Sequence, residues 1–308
     1  MRVIDVEYIN DSMKDDLSFV FRCEESFHDK IGRAAVKVLE RKPRCPVVLI
    51  TGPSGSGKTT TAMRLKDYLN NLDINVTMLS MDNFFLPVDQ RPPEATDWES
   101  PYCVDWSCLT SAVNSLMDGK ETEIPQYDFK ASDRKESIRV PGNKDGIIIV
   151  EGIHMLNPLV FDRLKDIATG IYVAPRTRIV TMEDRVLRPE QVRIARRMLR
   201  DYSGRGRSLR DTVLMAKSVD NGEMQHIQPY KYNAAVHIDT FHDYELCILA
   251  EHIRKILKDS EPLDMNFIKE NGLTELYQAA RELPGLKTGY IPKDSIVREF
   301  IGGSRYIY

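Results

Sequence analysis

The stretch PVVLITGPSGSGKTT, residues 46–60, joins an apolar run to a glycine-rich turn and then to a helical pattern that continues through Leu69. A continuous apolar run of this length is typical of a buried parallel strand. The turn, Gly52–Thr59, fits the pattern G-x-x-x-x-G-K-[S/T], in which glycines let backbone N–H groups point inward around phosphate oxygens. The stretch therefore predicts a strand, a phosphate-binding loop and a helix in direct succession.

Two side chains of this loop have roles that follow from their chemistry. Lys58 reaches the β- and γ-phosphates, and the hydroxyl of Thr59 ligates Mg²⁺. The N-terminus of the helix adds partial positive charge. We therefore expect ATP and Mg²⁺ as cofactors, with nucleotide-binding residues Gly52, Pro53, Ser54, Gly55, Ser56, Gly57, Lys58, Thr59 and Thr60.

Strand-like and helical patterns alternate after the loop. The apolar runs are INVTMLSM, GIIIVEGI, ATGIYVAP and AAVHIDT. Helical patterns cover about Trp106–Met117, Pro158–Leu164, Pro189–Tyr202, Leu209–Met224 and Asp243–Leu257. Such alternation predicts an α/β fold of the P-loop NTPase type, a parallel sheet with helices on both faces and ligands at the carboxyl ends of its strands.

Three segments are expected along the chain. Residues 1–45 predict a short α+β lobe, with an alternating segment near Val3–Ile9, an apolar run SFVFRC and a helical pattern over Asp29–Arg41. Residues 46–258 are expected to form the P-loop core, which contains the phosphate-binding loop and the alternating strands and helices. Residues 259–308 predict a helical extension packed on that core, because the ending IPKDSIVREFIGGSRYIY is too aromatic for a disordered tail.

Composition excludes several classes of protein. The chain has 308 residues, 42% of them hydrophobic, and a net charge of −3, which is ordinary globular composition without the basic excess of nucleic-acid-binding domains. Its five cysteines form no C-x-x-C pair, so neither a disulfide framework nor a zinc site is indicated. No apolar run approaches membrane-spanning length. We expect a cytoplasmic protein without nucleic-acid or membrane partners, and a homo-oligomer remains open.

A phosphate-binding loop leaves three classes open: a kinase for a small molecule, a GTPase or ATPase switch, and a nucleic-acid motor. A GTPase should carry N-K-x-D to recognise guanine, and the nearest match, Asn143-Lys144-Asp145-Gly146, has its aspartate one place early. A motor should carry a second ATPase core or a long basic surface. The kinase is therefore favoured.

Two carboxylates follow strands of the predicted sheet. Asp82, in LSMDNFF, lies where a strand meets the ligand edge and can orient an acceptor hydroxyl, take its proton and help to hold Mg²⁺. A turn-capping aspartate is the alternative. Glu151 ends IIIVEG beside the phosphate-binding loop, where it suits Mg²⁺ or its waters. The predicted metal site consists of Thr59, Asp82 and Glu151.

The stretch Arg185–Arg210 contains nine arginines and only two acidic residues. Four of the arginines are spaced i, i+3, i+4 and i+7 and so share one helix face: Arg193, Arg196, Arg197 and Arg200. Guanidinium groups suit bidentate contacts with phosphate during transfer, and YSGRGRS is typical of a hinge. We expect an arginine-rich lid helix; a solvated charged face is the alternative.

Together these segments resemble the uridine kinase branch of the phosphoribulokinase/uridine kinase family. The similar segments are GPSGSGKTT, LSMDNFF, PQYDF, IIIVEGIHML and RIARRMLRDYSGRGRS, between about Val47 and Leu257. The resemblance implies that Asp82 is the base near a nucleoside 5′-hydroxyl, that Glu151 and Thr59 serve Mg²⁺, and that Arg196, Arg197 and Arg200 belong to the lid. With Lys58 of the loop, we expect Asp82 and these three arginines to be the catalytic residues.

The resemblance also implies an acceptor site. Asp97, in TDWESPYCVDW, would hold the ribose hydroxyls, since two carboxylate oxygens can accept from a vicinal diol. Tyr127 and Phe129 of PQYDF would form the wall against the base, although they could instead fill a small core. The remaining nucleoside contacts would come from Arg134 and Arg193.

The chain departs from the family pattern in two places. Ser132 stands where uridine-cytidine kinases have a histidine that reads the base, and the segment from Asp97 to Asp105 is longer than their pattern. We expect an ATP-dependent kinase acting on the 5′-hydroxyl of a small-molecule nucleoside, uridine or cytidine. The alternatives are a kinase for a sugar phosphate or pantothenate-like acceptor, and a nucleotide-dependent regulatory or RNA-binding protein.

Overall fold

The computed structural model describes residues 2–259 and 264–308. In chain order its strands are β1 (Val3–Asp5), β2 (Val47–Thr51), β3 (Val76–Ser80), β4 (Thr122–Asp128), β5 (Asp133–Val140), β6 (Ile147–Glu151), β7 (Ala168–Ala174), β8 (Arg178–Val180), β9 (Val186–Leu187) and β10 (Val236–Asp239). Its α-helices are α1 (Val6–Ser12), α2 (Asp16–Arg41), α3 (Lys58–Asn70), α4 (Trp106–Met117), α5 (Pro158–Leu164), α6 (Pro189–Arg205), α7 (Leu209–His226), α8 (Glu245–Asp259), α9 (Met265–Glu270), α10 (Thr274–Glu282) and α11 (Arg298–Ile301). Residues 260–263, at the start of the expected C-terminal extension, lie outside the described part.

A central parallel sheet carries the fold. Its five strands stand in the order β10-β7-β2-β6-β3, and every neighbouring pair is parallel. The strand β2 is buried along its whole length, as its apolar sequence predicts. The chain leaves β2 first towards β3 and later fills the opposite side with β7 and β10. The crevice at this reversal, beside the end of β2, is where ligands of such sheets bind.

Helices cover both faces of the sheet, which confirms the predicted fold class. Alternate residues of β2 point to opposite sides, so Val48 and Ile50 pack in one hydrophobic cluster while Val47 and Leu49 pack in another. The first cluster includes α2, α3 and α8, and the second includes α4 and α5. No helix in the described ranges combines the length and apolar character needed to cross a membrane.

Two small sheets flank the core. The antiparallel pair β4 and β5 forms a hairpin with a register shift between Ile124 and Gln126. In the other small sheet, β8 pairs with β1 in parallel and with β9 in antiparallel fashion. The hairpin includes PQYDF and places it near the carboxyl end of β3, since β4 contacts the turn Met81–Phe84.

The N-terminal segment differs from the expectation. Only Val3–Asp5 of the alternating segment is a strand, and the run SFVFRC belongs to the 26-residue helix α2. Asp15 caps this helix by accepting a hydrogen bond from the N–H of Ser18, and its buried residues recur at helical spacing. The helix packs in the same cluster as β2 and the later helices α9 and α10. The first and last segments of the chain therefore share a core with the sheet.

Candidate active site

The phosphate-binding loop lies between β2 and α3, as predicted. Gly57 adopts φ +83° immediately before α3, a conformation that favours glycine. At Gly52 a Cβ atom would lie 1.9 Å from the carbonyl oxygen of Val173, so only glycine lets the loop pass this close to β7. The Nζ atom of Lys58 donates a hydrogen bond to the carbonyl of Pro53 at 3.3 Å, which keeps the ammonium group over the loop.

Two carboxylates meet the loop at the ends of neighbouring strands. Glu151 is buried at the end of β6, and its Oε1 accepts a hydrogen bond from Ser80 Oγ at 2.9 Å. Ser80 Oγ also accepts from the backbone N–H of Asp82, which is exposed. Burial, and then the charge of Asp82, raise the pKa of Glu151 to about 7, although Lys58 opposes the shift. The two carboxylates and Lys58 thus form one electrostatic group.

This group fits Mg²⁺. The described residues contain no cluster of three His, Cys, Asp or Glu side chains that could hold a metal by themselves. A magnesium ion in a phosphotransferase needs only one or two carboxylates, because substrate phosphates and waters complete its octahedron. The charge of Asp82 raises the pKa of Glu151, and a cation bound between the two carboxylates would relieve this repulsion. Thr59, at the second position of α3, would supply the hydroxyl ligand.

An aromatic cluster stands beside Asp82. Its four rings have centroids 5.0–6.3 Å apart and come from Phe85, Trp98, Tyr127 and Phe129. Tyr127 is buried, whereas Trp98 and Phe129 are 43% and 49% exposed. The guanidinium carbon of Arg91 lies 4.0 Å from the Trp98 ring centroid, and its Nη2 donates to the Tyr127 hydroxyl at 2.9 Å. The cluster therefore leaves flat aromatic surface open to a ligand.

Arg134 has a positioning role for this cluster. Its side chain donates to the Asp105 carboxylate at 3.2 Å and to the carbonyl oxygen of Phe85 at 3.3 Å. It thereby ties the hairpin to the segment after β3. Ser132, which replaces the histidine of the family pattern, lies in the hairpin turn with φ +57°.

In the loop between β3 and α4, Glu99 is partly buried with its Oε2 atom inaccessible to solvent, whereas Asp97 is exposed. The Oδ1 atom of Asp97 accepts from the N–H of Glu99 at 2.8 Å, which is the arrangement of a turn residue. Burial raises the pKa of Glu99, while Lys58 and Arg197 oppose the shift. One carboxylate oxygen of Asp97 is thus used locally within the turn, as in the turn alternative for the expected ribose contact.

Two buried polar atoms at this place have unused hydrogen-bonding capacity. Glu99 Oε2 and Nε of Arg197 have no hydrogen-bond partner within residues 2–259 and 264–308. The buried ring of His154 lies within hydrogen-bonding reach of the backbone of Glu99 and His226. Burial, and then the charge of His226, lower the pKa of His154 to about 3, so its ring is neutral. Buried polar atoms normally have partners, and unsatisfied ones concentrated at one place indicate a site for a polar ligand.

The four arginines of α6 do not share one environment. Arg197 is buried over Gly55 of the phosphate-binding loop, and burial lowers its pKa. Arg200 is partly exposed and donates to Asp201 at 3.1 Å. Arg193 forms an ion pair with Glu223 at 2.7 Å and donates to the carbonyl of Ser54, so it lies at the loop rather than at the aromatic cluster.

Arg196 does not fit the expected lid role. It is fully buried, and its Nε and Nη2 donate to both carboxylate oxygens of Glu245 at 2.8 and 2.7 Å. Its remaining donors bind the carbonyl oxygens of Gly55 and Thr240. Through these contacts Arg196 links the phosphate-binding loop to Thr240 and Glu245 and stabilises the position of the loop. The expected hinge is also shorter, because α6 continues through YSG to Arg205 and is followed by Gly206, which has φ +65°.

Sequence reasoning missed Glu99, Trp98 and His154. TDWES offers two acids two positions apart, and only burial distinguishes Glu99 from Asp97. Trp98 stands between them, so its proximity to PQYDF depends on how the loop folds back. His154, in IIIVEGIHML, follows Glu151 by three residues, and this nearness was the available signal.

Comparisons with known proteins agree with this geometry. The family model "Phosphoribulokinase / Uridine kinase family" matches residues 47–246. The chain is 33% identical over 224 residues to the uridine kinase of Brevibacillus brevis, covering 70% of this chain and 96% of that one. It is 28% identical over 221 residues to uridine-cytidine kinase B of Dictyostelium discoideum, covering 70% and 84%.

Among solved structures, a possible uridine kinase from Bacillus stearothermophilus aligns with a TM-score of 0.40 and 22% identity, covering 47% of this chain and 79% of that one. The family match spans well over half of the chain and includes the loop, both carboxylates and α6. The chain therefore belongs to the phosphoribulokinase/uridine kinase family and is a phosphotransferase with an alcohol group as acceptor.

Proposed function

We propose that the protein uses Mg-ATP to phosphorylate the 5′-hydroxyl of a nucleoside, uridine or cytidine. The observation that supports the nucleoside most directly is the open aromatic cluster next to Asp82, with Trp98 and Phe129 about half exposed. A planar base gains about 1–3 kcal/mol by stacking on such rings. The uridine kinase relatives support the same class of acceptor.

The residues then divide the chemistry between them. Asp82 orients the 5′-hydroxyl and accepts its proton as the oxygen attacks the γ-phosphorus in line with the departing ADP oxygen. Lys58 and the loop amides hold the triphosphate. Mg²⁺, held by Thr59, Glu151 and Asp82, supplies charge neutralisation on the phosphates when bound. Arg197 and Arg200 lie on the helix above the loop, where they stabilise charge on the transferring group.

Glu99 provides the contact with ribose in this proposal. Its buried Oε2 without a partner can accept from a ribose hydroxyl, and Arg197 and Lys58 favour its charged form. A phosphorylated acceptor would need a free cation in the same loop. Arg91 is instead engaged with Trp98 and Tyr127, which favours a neutral acceptor.

The test is an acceptor panel with the purified chain and Mg-ATP. We expect uridine and cytidine to raise ADP release above the acceptor-free rate more than purine nucleosides, sugars, sugar phosphates or pantothenate do. Mass analysis should place the phosphate on the 5′ oxygen. Preference for a sugar phosphate or pantothenate would contradict the proposal, and stimulation by no acceptor would favour a regulatory protein.

A further inference from the structure

Thr60 is predicted to donate hydrogen bonds to a nucleotide phosphate, but in this structure it already donates to an anionic side chain. It is the third residue of α3, it is fully buried, and it follows the predicted Mg²⁺ ligand Thr59 directly. The first N–H groups of a helix have no partner within the helix. In a phosphate-binding loop these N–H groups, with the hydroxyls beside them, cradle the phosphates of the nucleotide.

The partner of Thr60 is the carboxylate of Glu299. Glu299 Oε2 accepts from the Thr60 hydroxyl at 2.6 Å and lies 3.4 Å from the Thr60 backbone nitrogen, which also donates to it. One oxygen thus takes both donors of the residue, as a phosphate oxygen would. The hydroxyl of Tyr308 lies 3.0 Å from the same Thr60 oxygen.

The segment Ser295–Tyr308 brings this carboxylate to the loop through several contacts. A Cβ on Gly57 would lie 2.2 Å from Ile296 Cδ1, so Ile296 packs directly on the loop. The ring of Phe300 lies 5.0 Å from the guanidinium carbon of Arg196. Gly302 and Gly303, with φ +84° and +73°, then turn the chain back so that Tyr308 reaches α3.

The segment Ser295–Tyr308 is anchored by buried contacts at its start and by surface contacts near its end. Ser295 is buried and bonded to Tyr244, whereas Ser304 and Arg305 make contacts at the surface. Glu299 itself is only partly buried. The side chain of Glu299 can therefore leave Thr60 without opening the hydrophobic cluster to which Ile296 and Val297 belong.

We propose that Glu299 is an internal competitor of the nucleotide: its carboxylate occupies the Thr60 donors that a bound nucleoside triphosphate uses for phosphate, and nucleotide binding displaces it. Two anions cannot share one pair of donors at a helix N-terminus, where a single negative charge is already stabilised. Repulsion between the carboxylate and the entering phosphates acts in the same direction. The contact thus lowers nucleotide affinity and sets the concentration at which the site fills.

This inference rests on the proposed function only in that the loop binds a nucleoside triphosphate, and its test needs no acceptor. The dissociation constant of Mg-ADP is measured by titration calorimetry for the wild-type chain, Glu299→Gln and Glu299→Ala. We expect both variants to bind about three- to tenfold more tightly. Glu270→Gln, the same substitution at an exposed position of α9, is the control and should leave the constant unchanged.

Hydrogen exchange of the wild-type chain gives a second measurement that needs no variant. Saturating Mg-ADP should speed exchange of the amides around Glu299, from Arg298 to Tyr308, while amides of the loop become protected. Weaker or unchanged binding by the Glu299 variants, or slower or unchanged exchange of that segment, overturns the proposal, as does failure of every variant to bind. A wrong acceptor class would instead appear only in the acceptor panel.

Discussion

At the scale of single residues, Asp82 and Glu151 share one electrostatic site but differ in exposure. Asp82 is exposed towards the acceptor side, whereas Glu151 is buried, and the charge of Asp82 helps to raise the pKa of Glu151. We expect Asp82→Asn to lower kcat by roughly a hundredfold or more, because the amide cannot take the proton, with a smaller effect on Mg-ADP affinity, because Thr59, Glu151 and the loop remain to hold Mg-ADP. Steady-state kinetics of Asp82→Asn measure this effect, with Asp89→Asn, a substitution at an exposed position nearby, as the control. An unchanged kcat would remove Asp82 as the base.

Glu99 and Asp97 form a matched pair for testing recognition of the acceptor. Glu99→Gln should raise the KM for the nucleoside about tenfold or more, because a charged hydrogen bond to the acceptor is lost. It should also reduce discrimination against the 2′-deoxynucleoside. Asp97→Asn should change neither value beyond about twofold, since it leaves the site contact intact. A larger effect at Asp97 would restore the assignment made from the sequence.

The buried position of Arg196 predicts an effect on stability rather than on transfer. Arg196→Ala leaves Glu245 buried without its bidentate partner, which should lower the free energy of unfolding by about 3–5 kcal/mol. Arg200→Ala, four residues along the same helix, removes a partly exposed guanidinium whose buried partner Asp201 also pairs with Arg207, and it should cost less than Arg196→Ala. Urea unfolding measures both values. Equal losses would place Arg196 at the surface with Arg200.

These residues show what local sequence can establish. The roles of the loop glycines follow from chain geometry within a few positions, so the loop could be located from its spacing alone. Arg196 and Arg197 are adjacent in the chain but have different environments. Arg196 contacts Glu245 and Arg197 contacts Gly55, and both partners are distant in sequence. Helical spacing gives a common face but not the neighbours of that face.

At the scale of elements, α2 is joined to the nucleotide-binding core by a buried polar cluster. Glu24 of α2 accepts from Tyr244 at 2.6 Å, pairs with Arg64 of α3 at 3.2 Å and faces His242 at 3.6 Å. Burial alone would raise the pKa of Glu24. The charge of His242 and hydrogen bonds from His242, Ser295 and Tyr244 outweigh this effect and lower the pKa to about 2. The ionised carboxylate therefore holds three elements together.

A pH dependence of stability follows from this cluster. Because the pKa of Glu24 is lower in the folded protein, its contribution is present above the unfolded value near 4.5 and is lost as the pH falls towards 2. The stability difference between wild type and Glu24→Gln should therefore shrink from at most about 3 kcal/mol as the pH falls from 6 to 3. Thermal melts over this range measure it. Glu25→Gln, exposed on the same helix, should give a constant difference, and a constant difference for Glu24 would contradict the assignment.

Elements were predictable where burial imposes a continuous pattern. The strands of the central sheet lie within their predicted apolar runs, and α4 and α5 have the predicted bounds. The N-terminal segment was predicted poorly, because SFVFRC is short and apolar and such runs fit a strand or a buried helix equally well. Its helical state depends on packing against β10 and α3.

At the scale of the whole molecule, the three segments expected from the sequence share one hydrophobic cluster. Residues from α1 and α2, from the central sheet and from α9 and α10 all belong to it, together with Ile296 and Val297 just before α11. A segment that buries its apolar face only against another segment cannot keep that face buried alone. Composition and the positions of prolines can predict where segments meet, but they cannot predict whether the segments share a hydrophobic core.

Cooperative unfolding is the consequence of this shared core. Calorimetry of the full chain should show one transition, with equal calorimetric and van't Hoff enthalpies, because loss of α2 exposes the apolar surface of α3 and β10 against which it packs. The chain from residue 46 onwards should accordingly melt well below the full chain or expose apolar surface that binds a hydrophobic dye. Two separated transitions, or a truncated chain as stable as the full one, would show that residues 1–45 fold as an independent lobe.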